Sequence, residues 1–379
     1  MPDPIPLQTS RWDRLVALGF VAILTIPGLA LVAGVRPPDL ENRGESALPS
    51  IDARALTEPS TYQAIDDYVT RNFPARDAAV SAYASLDYDL LRGSTDPDVV
   101  LGRDDWLFFI GELMPTCDVT PTDQIRALDA VAVQAEAANV EFRFAIAPDK
   151  HAVYPDRLRP DLPMPEPCTD AARDEVRAAM AARPGITVDM WSAVLAERDR
   201  SEMPLYFSQD SHWTPAGALP AIAALVESLV PGVWDPSEIT IDGRTRYPME
   251  LARLMGKPRD AILPKYIVRP SVAVQETVLP TDVDLGNARD IEAYTTSGSD
   301  RVVPGTTLVV YDSFLNINKA RMTPWFEHTV WVHAGDLRDF PEIAEDLPPL
   351  DTIVLVRVER GAYDTNVEAL LRPILDPGQ

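Results

Sequence analysis

The sequence has few residues of several chemically useful kinds. Its 379 residues include only two cysteines and four histidines, and 58 aspartates and glutamates outnumber 34 lysines and arginines. The formal net charge of −24 argues against nucleic-acid binding, because neutralising phosphates requires an excess of cations. The histidines show no recognisable metal-ligand spacing, so we predict no metal and no other cofactor. We also find no internal repeat and no coiled-coil pattern.

Long apolar runs are scarce, with one exception near the N-terminus. Residues 15–35 form a nearly uninterrupted apolar stretch, and at about 1.5 Å per residue a helix of this length crosses a bilayer core about 30 Å thick. Arg11 and Arg14 precede the stretch, so the positive-inside rule places residues 1–14 in the cytoplasm. We therefore predict an uncleaved transmembrane signal anchor in the inner membrane. A cleaved signal peptide is the alternative.

The two cysteines, Cys117 and Cys168, both lie in proline-rich loop sequence. Beyond the predicted anchor they face an oxidising compartment, where a pair of this kind usually forms a disulfide. Closing a loop of about 50 residues contributes about 4 kcal/mol in the chain-entropy model. Two unpaired buried thiols are the alternative.

The rest of the chain predicts one large α/β domain. Residues 36–60, rich in proline and acidic residues, are a linker, and residues 61–379 form the domain, with an irregular insertion at about 232–305. Alternating β-rich and helical runs are typical of a mostly parallel sheet with helices on both faces. The main predicted strands are 99–101, 106–110, 140–147, 186–188, 307–311, 329–333 and 352–358.

Candidate catalytic residues lie at two turns. Asp210 and His212 come just before a helix start, and Ser313 follows the strand predicted at 307–311. Ligands of such sheets bind beyond the carboxyl ends of the strands. A serine nucleophile needs a base within about 3 Å, and in an extended segment Asp210 lies on the same face as His212 and can orient its ring. We predict Ser313 as nucleophile, His212 as base and Asp210 as orienting acid. A metal site at Asp-x-His and a helix cap at Asp-Ser-Phe are the alternatives.

Further polar residues near these turns are candidates for contacting substrate. His151 follows another predicted strand end. Asn316, Asn318 and Arg321 lie shortly after Ser313, where they can donate to an oxyanion or a sugar, and a polar helix face is the alternative for these three. His328 and His333 flank a strand and are predicted to be structural. The predicted substrate-binding set is Lys150, His151, Trp213, Asn316, Asn318 and Arg321.

As a set, the motifs resemble those of the periplasmic alginate O-acetyltransferase family, the AlgJ/AlgX-like proteins of the SGNH-hydrolase superfamily. Asp210-Ser211-His212-Trp213 with Gly217 is similar to the family's D-x-H-W…G signature. Further stretches match in order between about residues 41 and 361. They are Glu41-Asn42-Arg43, Asn72-Phe73-Pro74-Ala75-Arg76, Gly102 to Phe108, Ala147-Pro148-Asp149-Lys150, Tyr154-Pro155, Glu250-Leu251-Ala252-Arg253, Asp312-Ser313-Phe314 and Val358-Glu359-Arg360.

The resemblance implies an SGNH-hydrolase-like fold with a circularly permuted motif order, since Asp and His precede Ser. It implies acetyl transfer in the periplasm, from a donor delivered by a membrane-bound O-acyltransferase to hydroxyls of an exopolysaccharide, through an acetyl-serine. A carbohydrate acetylesterase with the same triad and a non-catalytic subunit of a polysaccharide-modification complex are the alternatives. The sequence departs from many family members at Tyr311, where they have glycine.

Overall fold

The structure is a computed structural model, and its contacts divide the chain into two compact units. One unit comprises Met1–Asp96 and Ala252–Arg259, and the other comprises Pro97–Leu251 and Asp260–Gln379. The structure describes residues 11–35, 58–74, 76–113, 121–162, 168–277, 279, 291–362 and 366–376.

The first unit is helical in its described part. Although helical spacing runs through residues 61–91, the helix is interrupted at Phe73, whose backbone is extended. Pro74 follows, and a residue that precedes proline is disfavoured in the helical conformation. The helices of this unit are α1 (Arg11–Val32), α2 (Pro59–Asn72), α3 (Arg76–Ser85) and a π-helical segment (Leu86–Leu91).

Helix α1 is long and apolar enough to cross a membrane, judged by length and composition alone. A signal sequence near the N-terminus meets the same requirement, so the uncleaved anchor stays a prediction. Most of the predicted linker, residues 36–57, lies outside the described residues. The predicted disulfide also stays a prediction, because Cys117 lies outside them.

The second unit contains every residue of the candidate site. Its strands are β1 (Val99–Leu101), β2 (Leu107–Phe109), β3 (Glu141–Ala147), β4 (Thr187–Val188), β5 (Ile239–Pro248), β6 (Asp260–Val268), β7 (Ala273–Thr277), β8 (Glu292–Ser297), β9 (Val303–Tyr311), β10 (Phe326–His333) and β11 (Thr352–Val358). Its helices are α4 (Ile110–Leu113), α5 (Pro121–Ala137), α6 (Lys150–Val153), α7 (Cys168–Ala181), α8 (Met190–Arg198), α9 (Pro215–Leu229), α10 (Glu250–Leu254, which ends in the first unit), α11 (Ser313–Asn316), α12 (Lys319–Met322), α13 (Ala334–Asp339), α14 (Glu359–Ala362) and α15 (Val367–Leu375). Short 3₁₀ helices span Pro155–Arg157, Pro236–Glu238, Thr323–Trp325 and Pro341–Asp346.

A seven-stranded mixed sheet forms the centre of this unit, with the spatial order β4-β3-β11-β9-β10-β8-β7. Strands β4, β3, β11, β9 and β10 pair in parallel, and β8 and β7 add antiparallel pairs at one edge. The antiparallel strands come from the region predicted as an irregular insertion. Strand β7 is exposed along its whole length. Strands β5 and β6, from the same region, form a separate antiparallel pair.

The sheet separates two apolar cores, which explains the continuous apolar sequence of its central strands. On β11, Val354, Val356 and Val358 join one core, and Ile353 and Leu355 join the other. Side chains of α8 and α9 complete the first core. Side chains of α5, α7, α13 and α15 complete the second. Strands buried on both faces lose the polar alternation of a half-exposed strand.

Candidate active site

The candidate active site lies where the central parallel strands end. Strand β9 ends at Tyr311, two residues before Ser313, and Ser313 is the first residue of α11. The neighbouring strand β11 ends at Val358, directly before α14. Because β9 and β11 are parallel, these turns lie on the same edge of the sheet, as expected for a ligand site of an α/β fold.

Ser313, His212 and Asp210 form a continuous chain of hydrogen-bonding atoms. Ser313 Oγ lies 3.1 Å from His212 Nε2, and His212 Nδ1 lies 2.7 Å from Asp210 Oδ1. Asp210 Oδ1 also accepts a hydrogen bond from the His212 backbone N–H at 2.9 Å. The sequence singled out these three residues, and the structure brings them together at the distances that nucleophilic catalysis requires.

The turn that carries Ser313 is fixed by the preceding residue, Asp312. Its Oδ1 accepts from the N–H of Phe314 at 3.1 Å, which caps α11, and its Oδ2 accepts from the N–H of Val358 at 2.6 Å. One carboxylate therefore joins the ends of β9 and β11. The helix-cap interpretation of this motif thus applies to Asp312 and is compatible with a role for Ser313.

The Asp210–His212 segment lies in a tight loop whose ends are paired. Tyr206 and Trp213 form an antiparallel bridge, and the N–H of Thr214 donates to the carbonyl of Leu205 at 2.8 Å. A Cβ atom at Gly217 would lie 2.0 Å from that same carbonyl oxygen, closer than any side chain permits. This close approach explains the glycine four residues after Trp213.

Lys150 holds this loop from inside the protein. The residue is fully buried, and its Nζ donates to the carbonyls of Asp210 at 2.7 Å and Phe207 at 3.2 Å, and also to that of Leu107. Burial lowers the pKa of Lys150 to about 8, although neighbouring carboxylates such as Glu112 oppose the shift. The structure therefore places Lys150 beneath the loop, rather than on a surface that a substrate reaches as the sequence predicted.

Trp213 is likewise fully buried rather than facing a substrate. Its indole N–H donates to the carbonyl of Phe314 at 2.7 Å, and its ring lies 5.5 Å from the Phe314 ring. The predicted contact between this tryptophan and substrate does not fit this placement. Trp213 instead connects the histidine loop to the helix that begins at Ser313.

The charges around His212 stabilise the protonated form of its imidazole. Burial lowers the pKa of His212, but the hydrogen bond to Asp210 and the charges of Asp210 and Glu250 outweigh it and raise the pKa above the ordinary value. Burial raises the pKa of Asp210, but its hydrogen bonds and the charge of His212 together outweigh burial and keep the pKa of this carboxyl below the ordinary value. The pair is therefore suited to an anionic aspartate beside a titrating histidine.

Glu250, the first residue of α10, is a part of the site that sequence analysis did not predict. Its backbone N–H donates to Asp210 Oδ2 at 2.7 Å, and its Oε2 lies 3.5 Å from His212 Nδ1. Ligand atoms of Asp210, His212 and Glu250 lie within 4.8 Å of one another, so these three residues could also hold a metal ion. Of these ligand atoms, His212 Nδ1 and Asp210 Oδ1 are hydrogen-bonded to each other.

His151 belongs to a cluster of buried charges next to the site. Its Nε2 lies 2.5 Å from Arg173 Nη2, and its Nδ1 lies 3.8 Å from Glu112 Oε2. Asp149 and Arg360 form a buried ion pair in the same cluster, reinforced by a hydrogen bond from the Arg360 backbone N–H to Asp149 at 2.8 Å. His151 itself is 5% exposed, so the structure gives it little contact with solvent.

The three predicted polar residues after Ser313 have different surroundings. Asn316 is exposed, whereas Asn318 and Arg321 are buried. Arg321 donates to the carbonyl of Ile317 at 2.6 Å and to the hydroxyl of Tyr247 at 3.1 Å, which holds the turn between α11 and α12. Only Asn316 therefore has the exposure that a substrate-binding residue needs.

A cavity of about 910 Å³ adjoins Ser313. Its walls include Arg357 at the end of β11, His333 at the end of β10, and apolar residues of α13 and α15 such as Leu337 and Leu370. The sequence predicted a purely structural His333, whose Nδ1 accepts from the N–H of Gly335 at 3.2 Å, but the same residue also lines this cavity. His328 lies on the sheet, with Nδ1 3.1 Å from the Thr295 hydroxyl.

Comparison with known proteins connects this geometry to a family. The model of the SGNH hydrolase-like domain of the acetyltransferase AlgX matches residues 99–240. This segment contains Asp210 and His212 and ends before Ser313. The unit that carries the site thus has an SGNH-like α/β fold with a mixed sheet.

Curated relatives with similar sequences share one description. A probable alginate O-acetylase AlgJ of Pseudomonas putida is 27% identical over 239 residues, covering 60% of this chain and 59% of the relative. The protein of the same description from Azotobacter vinelandii is 25% identical over 193 residues, covering 50% and 48%. The chain thus spans less than two thirds of the length of these relatives. The solved O-acetyltransferase domain of Pseudomonas putida AlgJ is 20% identical, with a TM-score of 0.47, over 71% of this chain and 94% of that one.

Proposed function

Because the chain belongs to the AlgJ/AlgX-like family, we propose that it is a periplasmic O-acetyltransferase that modifies hydroxyls of an exopolysaccharide through an acetyl-serine on Ser313. The observation that carries this proposal is the chain of contacts from Ser313 through His212 to Asp210, at 3.1 and 2.7 Å. The names of the curated relatives, which describe alginate O-acetylases, support a polysaccharide acceptor.

In the first half-reaction, Ser313 Oγ attacks the carbonyl carbon of the acetyl donor, and its proton moves to His212 Nε2. Asp210 stabilises the imidazolium that forms and holds the ring in the tautomer with the proton on Nδ1. The tetrahedral intermediate then collapses, and His212 returns the proton to the leaving group. The product is an acetyl ester on Ser313.

In the second half-reaction, a sugar hydroxyl takes the place of the leaving group. His212 removes the hydroxyl proton as the oxygen attacks the acetyl-serine, and the proton then returns to Ser313 Oγ as the ester bond breaks. The backbone N–H of Ser313, at the first position of α11, is the oxyanion donor we propose, because first-turn N–H groups have no partner within their helix. The cavity beside Ser313 has the volume of a small-ligand site.

We place the catalytic unit in the periplasm, anchored by residues 15–35, and expect a membrane-bound O-acyltransferase to deliver the acetyl donor. The long apolar helix α1 supports the anchor. Membrane fractionation with N-terminal sequencing tests this topology: a mature chain that begins after Val35 would contradict it.

An acetylesterase is the second candidate function, because the same contacts serve water as acceptor. The half-buried position of Ser313 beside a large cavity is compatible with both acceptors. A non-catalytic subunit of a polysaccharide-modification complex is less well supported, since all three residues of the triad are present within hydrogen-bonding distance.

Turnover of a chromogenic acetyl ester, with and without a soluble oligosaccharide, tests the proposal. A transferase accelerates ester cleavage when acceptor is added and yields acetylated oligosaccharide by mass spectrometry. An esterase releases acetate at one rate under both conditions. Equal turnover by the wild type and the Ser313→Ala variant would contradict both candidates.

A further inference from the structure

Glu250 contacts two members of the proposed triad, Asp210 and His212. Its backbone N–H donates to Asp210 Oδ2 at 2.7 Å, so it occupies the oxygen that does not face the histidine. Its side chain reaches the other partner, with Oε2 3.5 Å from His212 Nδ1. A single residue thus contacts the orienting acid through its backbone and the base through its side chain.

Ser211 connects these two contacts. Its hydroxyl donates to Glu250 Oε2 at 2.7 Å, and its Oγ lies 3.3 Å from His212 Nδ1. The serine is 3% exposed, so the Ser211 end of this bridge is buried. His212 Nδ1 therefore faces Asp210 at 2.7 Å and two further oxygen atoms, those of Ser211 and Glu250, at slightly longer range.

From this geometry we propose that Glu250 is a positioning residue of the site and its second carboxylate. Its N–H fixes the orientation of Asp210, and its charge, acting directly and through the Ser211 hydroxyl, stabilises the His212 imidazolium. The inference rests on the proposed function, because the imidazolium forms during the reaction only if His212 accepts the proton of Ser313. The site then balances one positive charge with two carboxylates.

The other charged groups near His212 bear on the size of this effect. Asp210 is the nearest carboxylate, and Arg360 on α14 opposes both acids by lowering the pKa of the histidine. Lys150 donates to the carbonyl of Asp210 rather than to the ring. The Glu250 side chain is 48% exposed, and because solvent screens such a charge, we expect its removal to lower the pKa of His212 by a small but measurable amount.

The test is a pair of titrations on wild type and on the Glu250→Gln, Glu250→Asp and Glu197→Gln variants. One follows the imidazole resonance of His212 by NMR, identified among four histidines by its absence in His212→Ala. The other follows kcat/KM for an acetyl ester against pH. Glu197 is the matched control, since it loses the same charge on α8, where it pairs with Arg200 at 3.2 Å.

We expect Glu250→Gln to move both the His212 titration and the acid limb of the pH profile to lower pH, because the imidazolium loses a stabilising charge. Glu250→Asp and Glu197→Gln should stay close to wild type. A His212 titration that is unchanged in Glu250→Gln would overturn the inference. This holds even if the variant loses activity at all pH values or has a raised KM. The NMR titration needs no turnover, so failure of the inference is distinguishable from failure of the proposed function, which Ser313→Ala tests.

Discussion

Asp210 Oδ1 accepts two hydrogen bonds from His212, one from ring Nδ1 at 2.7 Å and one from the backbone N–H at 2.9 Å. The carboxylate therefore fixes the ring and its backbone together. With the proton held on Nδ1, the lone pair of Nε2 points to Ser313 Oγ, 3.1 Å away. This relationship suits His212 to the role of base that we propose for it, and it leads to the predictions below.

Ser313→Ala and His212→Ala should each reduce turnover of an acetyl ester by roughly 10⁵- to 10⁶-fold, because each removes a member of a unit that acts together. The double variant should be no worse than either single variant. Circular dichroism checks that the variants are folded. A double variant with a loss equal to the product of the two single losses would show that the residues act independently.

Asp210→Asn should reduce kcat by about 10⁴-fold, because the base remains but its tautomer is no longer fixed. His151→Ala is the comparison among the remaining histidines. Its ring contacts Arg173 and Glu112 rather than the serine, so its effect on kcat should be much smaller. Steady-state kinetics of both variants on one acetyl ester checks this order, and the reverse order would assign the base to His151.

Trp213→Phe should lower the free energy of unfolding by about 1–3 kcal/mol, because it leaves the buried carbonyl of Phe314 without its donor. It should also reduce kcat more than it changes KM, since the helix that starts at Ser313 loses a restraint. Trp331→Phe is the matched control: Trp331 is fully buried, but its Nε1 has no hydrogen-bond partner among the described residues. Equal effects of the two substitutions would attribute the loss to ring size alone.

Arg360→Met should lower the free energy of unfolding by about 3–5 kcal/mol at neutral pH, since it leaves Asp149 as a buried charge without its cation. Even in the wild type, burial raises the pKa of Asp149 to about 7 against the opposing charge of Arg360. The folded state then binds more protons than the unfolded state between the ordinary value of 3.8 and the raised value, so stability falls as pH rises through this window.

The loss in Arg360→Met should therefore be smaller near about pH 5, where Asp149 is protonated in wild type and variant alike, than near about pH 8, where the wild-type carboxylate is ionised and paired with Arg360. Denaturant unfolding at the two pH values measures this difference. Arg338→Met is the control, because Arg338 pairs with Asp339 on the surface and should leave the stability nearly unchanged at both. A loss in Arg360→Met that does not depend on pH would contradict the role given to Asp149.

The sequence singled out the three residues of the proposed triad because each has a local sign: Asp210 lies two residues before His212, and Ser313 follows an apolar strand. It did not predict which polar residues face solvent. Lys150 was predicted to contact substrate, but its orientation depends on carbonyls of Leu107, Phe207 and Asp210, which only tertiary packing brings together.

Glu250 is a residue of the site that the sequence alone did not identify. The sequence places it 38 residues after His212, at the start of a short helix, and no local pattern connects the two. Its membership in a motif shared with the family was the sign that could have directed attention to it. Strands β7 and β8 lie in the region predicted as an irregular insertion and were not assigned to the sheet. Strand β7 is an edge strand exposed along its whole length, so no buried face marks its pairing.

The central claim is that Ser313 carries the acetyl group between donor and acceptor. The most direct measurement is intact-mass spectrometry of the protein after brief incubation with an activated acetyl ester, followed by peptide mapping. We expect one added acetyl group on the peptide that contains Ser313 in the wild type and none in Ser313→Ala. In His212→Ala the acetyl-serine should accumulate at early times only when the ester is reactive enough to acylate Ser313 without a base. An acetyl group on any other residue, or an adduct of equal amount in Ser313→Ala, would contradict the account.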